Sequence, residues 1–484
     1  MKRIFNIPAT LVSLRSQLTM FDDGTEVLAK GMHYDKLCWL LDKLANTHYY
    51  TKRVDRDSYL PLQCNMLREV CGKRYADLLM KFLLANDIIE TNNHYKVGAF
   101  AMGYRLTEEH RNARKVCVFN QDSRFLSKLE VADRSTDGET YLVNSLKQDV
   151  GIRYSDLLLH LFPFATTPYV GTKHQLETEE DLTSWNDHLA HVNELLLTLP
   201  DTSTEVNRLG KVKSPRASAA SLLMSAGRIY TGQFFKNRDL KGGRLHTNIT
   251  NLSTEGRRFL VLNGHTDLIN TDIPASQLVF ACVPLLKYYE AIETPKDVVR
   301  WISLCTSPDP YERLHLEMYK ELFDDAVAGK YYRLIEDDAA ARKHYRKDFK
   351  SKFFASIYYS ELKFNIGSLA TPESQFMWTH YPSVMQWIVG QKVDDYAAFA
   401  CNMQRAESDF VIDVFGYQAM KWMLPVVTIH DSALVPAEFG RNVVQYFQSW
   451  LDEALRISDC KVKLKAEFLS EGAKDAYKKS FELF

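Results

Sequence analysis

The stretch 342–359, RKHYRKDFKSKFFASIYY, sets Arg346, Lys350, Phe354 and Tyr358 four residues apart. Residues at that interval stack on one face of an α-helix. The spacing predicts a helix with two cations at one end of a face and two aromatic rings at the other. Arg342 extends the cationic end by a turn, Lys343, Lys347 and Lys352 surround it, and Asp348 is the acid that offsets them. A guanidinium and an ammonium can hold phosphate oxygens and neutralise charge moving onto a leaving group. A ring one turn further along can stack on a base or a sugar. The face therefore suits a nucleoside triphosphate. The same spacing also describes an amphipathic basic helix with two core aromatics, because short motifs recur by chance.

Global charge does not separate these alternatives. Sixty Lys and Arg balance 61 Asp and Glu, a net charge of −1, so nucleic-acid binding would have to come from local charge separation. A chain of 484 residues, 46% hydrophobic and 25% charged, is long enough for roughly three domains with large cores. Its eight cysteines, Cys38, Cys64, Cys71, Cys117, Cys282, Cys305, Cys401 and Cys460, include no Cys-x2-Cys pair and read as reduced thiols rather than a zinc site. The N-terminal apolar run is broken by Asn6 and Pro8 and followed by Arg15, unlike a signal peptide. No run approaches the roughly 18 apolar residues of a membrane span. A cytoplasmic setting without membrane contact is expected.

Residues 34–46 carry Leu37, Leu40, Leu41 and Leu44 at helical spacing. Helices are also expected over 60–70 and 74–86, with Gly72 between them. Ile88-Ile89 begins a strand, Asn92-Asn93 marks a turn, and Tyr104-Arg105-Leu106 returns. Helices followed by a two-stranded wing suggest a winged helix, with Lys73, Arg74 and Lys81 as phosphate contacts, or else a small packing domain. Residues 131–140 read as a polar linker or exposed loop, and 141–200 as mostly helical. The acids Glu177, Glu179, Glu180 and Asp181 are expected on a solvated face.

From Val206 to Arg244 the charge turns basic: Arg208, Lys211, Lys213, Arg216, Arg228, Lys236, Arg238, Lys241 and Arg244 face a single acid, Asp239. Such a segment suits a phosphate backbone or a solvated loop. Phe259–Leu262 and Asp267–Thr271 flank Asn263-Gly264, a hairpin signal, and Asp272 ends the second run just before an apolar helix. A carboxylate leaving a strand there can hold a metal or serve as a turn residue. Helices are expected over 287–341 and 393–422, with Trp378, Tyr381 and Trp387 in a core between them. The runs Val426–Ile429 and Ala433–Val435 push His430-Asp431-Ser432 out as a hairpin tip.

The pattern Arg346-x3-Lys350-x3-Phe354-x3-Tyr358 resembles motif B, the fingers helix of family A DNA polymerases, which single-subunit phage-type RNA polymerases share. Tyr359 stands where that family usually has Gly. The segment GGRLHTNITNL resembles the family's Thr-Gly-Arg-Leu and downstream Asn-Leu, with Arg244 and Asn251 matching and Gly242 replacing the Thr. Asp272, followed by Ser276 and Gln277, resembles motif A of the palm. There the Ser-Gln pair starts two residues after the Asp rather than four, and a Glu stands in place of Gln277 to exclude ribose. His430-Asp431 resembles motif C, and the following Ser432 is closer to phage-type RNA polymerases than to the Glu of many DNA polymerases. Gln404 matches a Gln near the primer end on the helix before motif C. The likeness covers about residues 218–484.

The expected chain is α+β: the element pattern gives a winged-helix-like domain over 1–115 and a helical thumb-like or connecting region over 116–217, and the resemblance implies a right-hand palm with an antiparallel sheet and helical fingers over 218–484. Asp272 and Asp431 would hold two Mg²⁺ ions. Arg346 and Lys350 would bind phosphates, Lys350 also protonating pyrophosphate; Phe354, Tyr358 and Gln277 would shape the nucleotide pocket. Arg244, Asn251, Gln404 and His430 would contact nucleic acid. The implied activity is DNA-directed DNA synthesis without proofreading, on a primer-template with nucleoside triphosphates. A divergent phage-like or mobile-element member would work in a bacterial or phage-infected cell beside replication or mobile-element proteins. RNA synthesis or priming, an untemplated transferase, and a non-catalytic initiator with a degenerate palm are the alternatives.

Overall fold

A computed structural model describes residues 3–14, 31–50, 57–62, 64–94, 101–122, 124–125, 136–202, 214–239, 241–290, 293–322, 339–360, 371–393, 395–455, 462 and 464–480. The fold is α+β, with many helices and small antiparallel sheets. Two compact units interleave along the sequence: 1–135, 150–234 and 251–261 form one, and 136–149, 235–250 and 262–484 the other. No described helix is long and apolar enough to cross a membrane.

In the first unit, helix Gly31–Tyr50 buries Leu37, Leu40 and Leu41 in one apolar cluster with Leu79, Phe82 and Leu83 of helix Lys73–Ala85. Helix Cys64–Cys71 ends before Gly72, whose φ of +85° turns the chain into the next helix. Strand Gly103–Leu106 lies between Leu60–Pro61 and Ile89–Thr91, antiparallel to both. Residues 60 and 61 thus leave the expected helix for a strand, as a proline at position 61 favours. Lys73, Arg74 and Lys81 are exposed on their helix. Helix Glu179–Leu197 starts on a capping box between Thr178 and Asp181, so the acidic cluster meets the positive end of a helix as well as solvent.

Two sequence expectations fail for identifiable reasons. Within the polar run 131–140, of which 131–135 lie outside the described residues, Thr136 accepts a hydrogen bond from Glu139 N–H and starts helix Asp137–Gln148. The Asn263-Gly264 turn does not make a two-stranded ladder. Leu260–Leu262 pairs with Val150–Ile152, while Leu268–Asp272 joins another sheet; a lone Leu262–His265 bridge is what remains of the hairpin. Both runs are apolar enough to be buried centrally, and tertiary partners outcompete the local one.

The second unit is built on a four-stranded antiparallel sheet in the order Val427–Ile429, Ser432–Pro436, Leu268–Asp272, Lys465–Phe468. Its core packs helices Ser276–Tyr289, Lys296–Cys305, Pro382–Gly390 and Gly440–Leu455 against the sheet and against one another. Tyr381 and Trp387 are buried and Trp378 partly so. The stretch 393–422 is helical from Ala398 but passes through a π-helical segment, Asp409–Phe415, before continuing over Gly416–Trp422.

Candidate active site

Strand pairing brings the two candidate carboxylates together. Asp272 lies directly opposite Ser432, so Asp431 at the adjoining hairpin tip is its neighbour across the ladder. The tip has only two loop residues, and its first, His430, takes a left-handed φ of +57°, a conformation His tolerates better than most side chains. Burial and the charge of Asp431 push the Asp272 carboxyl up to about 7, offset in part by Lys465 and Lys350. The two carboxylates are thus crowded like charges that nearby lysines offset only in part.

A hydrogen-bonded chain fixes one of the two. Ser276 Oγ lies 2.7 Å from Asp431 Oδ2 and 2.8 Å from Glu407 Oε2. Glu407 is fully buried, and its Oε1 accepts from Arg244 Nη2 at 2.6 Å and Nε at 2.9 Å. Burial, then Asp431, pushes the Glu407 carboxyl upward against the pull of Arg244 and Ser276. The sequence names Arg244 but not this partner: Glu407 reads as an ordinary helix acid until the fold lays its helix beside the Gly242–Arg244 loop. Among the described residues no group of three or more His, Cys, Asp or Glu is assembled for a metal, so a metal here would rest on two carboxylates completed by water and substrate oxygens.

The loop carrying Arg244 is organised by Asp239. Its carboxylate accepts from the backbone N–H groups of Lys241, Gly242 and Arg244 at 3.0, 2.6 and 3.0 Å. Gly243 adopts a φ of +69°, and a Cβ on Gly242 would sit 2.5 Å from Gln404 Oε1. Gln404 therefore packs against this loop, and a side chain at 242 would displace its amide. The His430 ring meets His246 edge-on at 5.6 Å. Asn251 ends the short helix Asn248–Asn251 and is assigned to the first unit.

The basic segment 206–244 is largely an internal scaffold. Arg216 pairs with Asp201, Arg228 with Asp42, Lys236 with Glu139, Arg238 with Glu139, Asp409 and Asp413, and Arg244 with Glu407. Lys241 is exposed; Arg208, Lys211 and Lys213 lie outside the described residues.

Helix Ala339–Phe353 presents the cations, as its spacing predicts. The Lys350 ammonium feels the charges of Asp431, Asp272 and Glu407 and stands 5.0 Å from the Tyr311 ring and 5.8 Å from the Phe354 ring. Much of its side chain is accessible, yet desolvation of the ammonium pushes its pKa below the ordinary lysine value against the upward pull of Asp431. Arg346 pairs with Asp309 at 2.8 Å, an acid 37 residues upstream that the sequence pattern does not reveal. Asp348 pairs with Lys352. Lys461 and Lys463 lie outside the described residues, and nothing is described of the side chains of Arg342 and Lys343.

Beyond Phe353 the helix widens. Phe354–Tyr358 form a π turn closed by Tyr359 N–H donating to the Phe354 carbonyl at 2.8 Å. The four-residue stripe consequently loses its last member. Phe354 and Tyr358 are 5% and 1% exposed, Tyr358 packed on Phe353, Phe354 and Phe399, while Tyr359 is 47% exposed with its hydroxyl beside Gln277. Tyr359, which the four-residue stripe omits, is the ring that meets Gln277; the α-helical interval could not show it because the register changes inside the stripe.

No known protein family matches this sequence, and no curated protein is detectably similar to it.

Proposed function

We propose that the chain catalyses template-directed nucleotidyl transfer, as a DNA-directed DNA polymerase. The observation that carries this reading is the meeting of Asp272, Asp431 and Lys350: two like-charged carboxylates on adjacent strands, faced by a cation from a helix that also bears an aromatic ring. The four-stranded antiparallel sheet supports a palm, and the helix Ala339–Phe353 supports fingers. In the first unit, the order helix, strand, two helices, two strands, with the first strand paired to the third, supports a winged helix whose exposed Lys73, Arg74 and Lys81 contact template phosphates.

Asp272 and Asp431 supply hard oxygen donors whose repulsion a divalent cation relieves, so the pair fits Mg²⁺. When bound there, Mg²⁺ supplies charge neutralisation and activation of the primer 3′ hydroxyl. Ser276 and Glu407 hold the Asp431 carboxylate in orientation. Lys350 neutralises charge on the triphosphate, and its lowered pKa brings it toward the range where an ammonium gives up a proton, here to departing pyrophosphate. Arg346 reaches phosphate only by leaving or sharing Asp309. Tyr359, rather than the buried Phe354 and Tyr358, borders the nucleotide. No 3′–5′ exonuclease activity is expected, since no proofreading constellation is recognised.

A second reading, ribonucleotide polymerisation, is favoured by Gln277, an uncharged amide that can hydrogen-bond a 2′ hydroxyl as readily as block it. Primer extension on a defined DNA template with separate dNTP and rNTP pools tests both. Incorporation of dNTPs in template order is the expected result. Mainly ribonucleotide product rejects the DNA assignment alone, product without template indicates an untemplated transferase, and no incorporation with retained DNA binding indicates an initiator.

A further inference from the structure

The π turn at the end of the cationic helix is gripped by a lysine from another element. Lys392 follows helix Pro382–Gly390 and is only 6% exposed. Its Nζ donates to the carbonyls of Ile357 at 2.6 Å and Ser360 at 2.8 Å, with the Phe399 ring 5.8 Å away. Neither hydrogen-bond partner is a carboxylate, so this is a buried ammonium held by main-chain dipoles. Burial pushes its pKa down to about 8. Carbonyls at the C-terminal end of a helix carry partial negative charge and suit such a donor.

Position gives the grip a consequence. The two carbonyls bracket Tyr358 and Tyr359, so one side chain spans the residues at which the ring changes from core-facing to exposed. A π turn carries an extra residue that a regular helix would expel, and π turns cluster at functional sites. An ammonium reaching both sides of the turn opposes its reversion to α-helical spacing, which would rotate Tyr359 away from Gln277.

We propose that Lys392 is a positioning residue: by bridging the Ile357 and Ser360 carbonyls it fixes the turn that presents Tyr359 to the incoming nucleotide, and thereby sets nucleotide affinity. This role rests on the nucleotidyl-transfer function proposed above. Lys392 acts through main-chain geometry and touches no reacting atom.

The test uses the full chain with fluorotyrosine at position 359, read by fluorine NMR, together with steady-state incorporation kinetics. Lys392→Met should shift or broaden the 359 resonance and raise the KM for nucleotide at least about fivefold, with kcat changed less than about twofold. Lys392→Arg, which keeps charge and donors, should restore both. If Lys392→Met does not fold, Lys392→Gln, a shorter donor, should move both readouts in the same direction. An unchanged resonance in a folded Met or Gln variant overturns the proposal, and so does a changed resonance with unchanged nucleotide KM. A wild-type protein that incorporates no nucleotide overturns polymerisation instead; the fluorine spectra then decide alone whether Lys392 holds the turn.

Discussion

Two cationic regions of this chain look alike in sequence and behave differently in the fold. In the segment 216–244, Arg216, Arg228, Lys236, Arg238 and Arg244 all close ion pairs with acids distant in sequence. On the helix Ala339–Phe353, Arg346 has such a partner in Asp309, but Lys350 faces a crowded carboxylate pair and two rings. Charge density alone therefore does not mark a ligand site. An internal pair satisfies its cation one to one, whereas Lys350 is shared among the charges of several acids.

Removing the carboxylates that Lys350 faces should have the largest effect. Asp272→Asn or Asp431→Asn is expected to abolish incorporation while leaving template affinity nearly intact, measured by primer extension beside a DNA-binding titration. Near-normal turnover in either variant would remove that residue from the site.

The two regions should next separate by phenotype. Lys350→Ala is expected to lower kcat/KM at least about tenfold, since a charge-assisted hydrogen bond is worth roughly 1.5–3 kcal/mol, with thermal stability unchanged. Arg238→Ala should do the reverse. It takes one cation from the buried Glu139 carboxylate and should lower stability by about 1–3 kcal/mol without a specific effect on nucleotide KM. If both variants behave identically, the distinction between scaffold and site fails.

A pH experiment sharpens the same contrast. Asp272 has its carboxyl raised from 3.8 to about 7, so its ionisation opposes folding. Its contribution to stability is present below about pH 4 and is lost as pH rises through about 7. Without Mg²⁺, Asp272→Asn should gain melting temperature relative to the wild type across that window, and Mg²⁺ should narrow the gap. A gap that does not change with pH would show that the carboxylates are not crowded.

The smallest effect is expected at the exposed cations of the first unit. Lys73→Ala, Arg74→Ala and Lys81→Ala together should weaken DNA binding and flatten its salt dependence by up to about three units of slope. An unchanged slope would assign that helix to packing or to a protein partner.

Much of the helical framework was legible because it depends on local periodicity. Leu37, Leu40 and Leu41 point into one core as their spacing predicts, and Asp272 ends its strand before the helix Ser276–Tyr289. The hairpin signal at Asn263-Gly264 misled because both flanking runs found better partners elsewhere. Glu407 and Asp309 were hidden for a related reason: each carries meaning only through a partner far along the chain.

By itself the sequence determined the identity and order of the charged and aromatic residues, and the helix that carries Arg346 and Lys350 one turn apart. Tertiary structure alone decided that Asp272 and Asp431 meet across a ladder, that Arg244 is bound to Glu407, and that Tyr359 rather than Tyr358 meets Gln277. Periodicity specifies a regular helix through bonds four residues apart. A π turn, a strand register and a buried ion pair are set by contacts between distant segments, where a single residue of shift changes which side chain reaches the site.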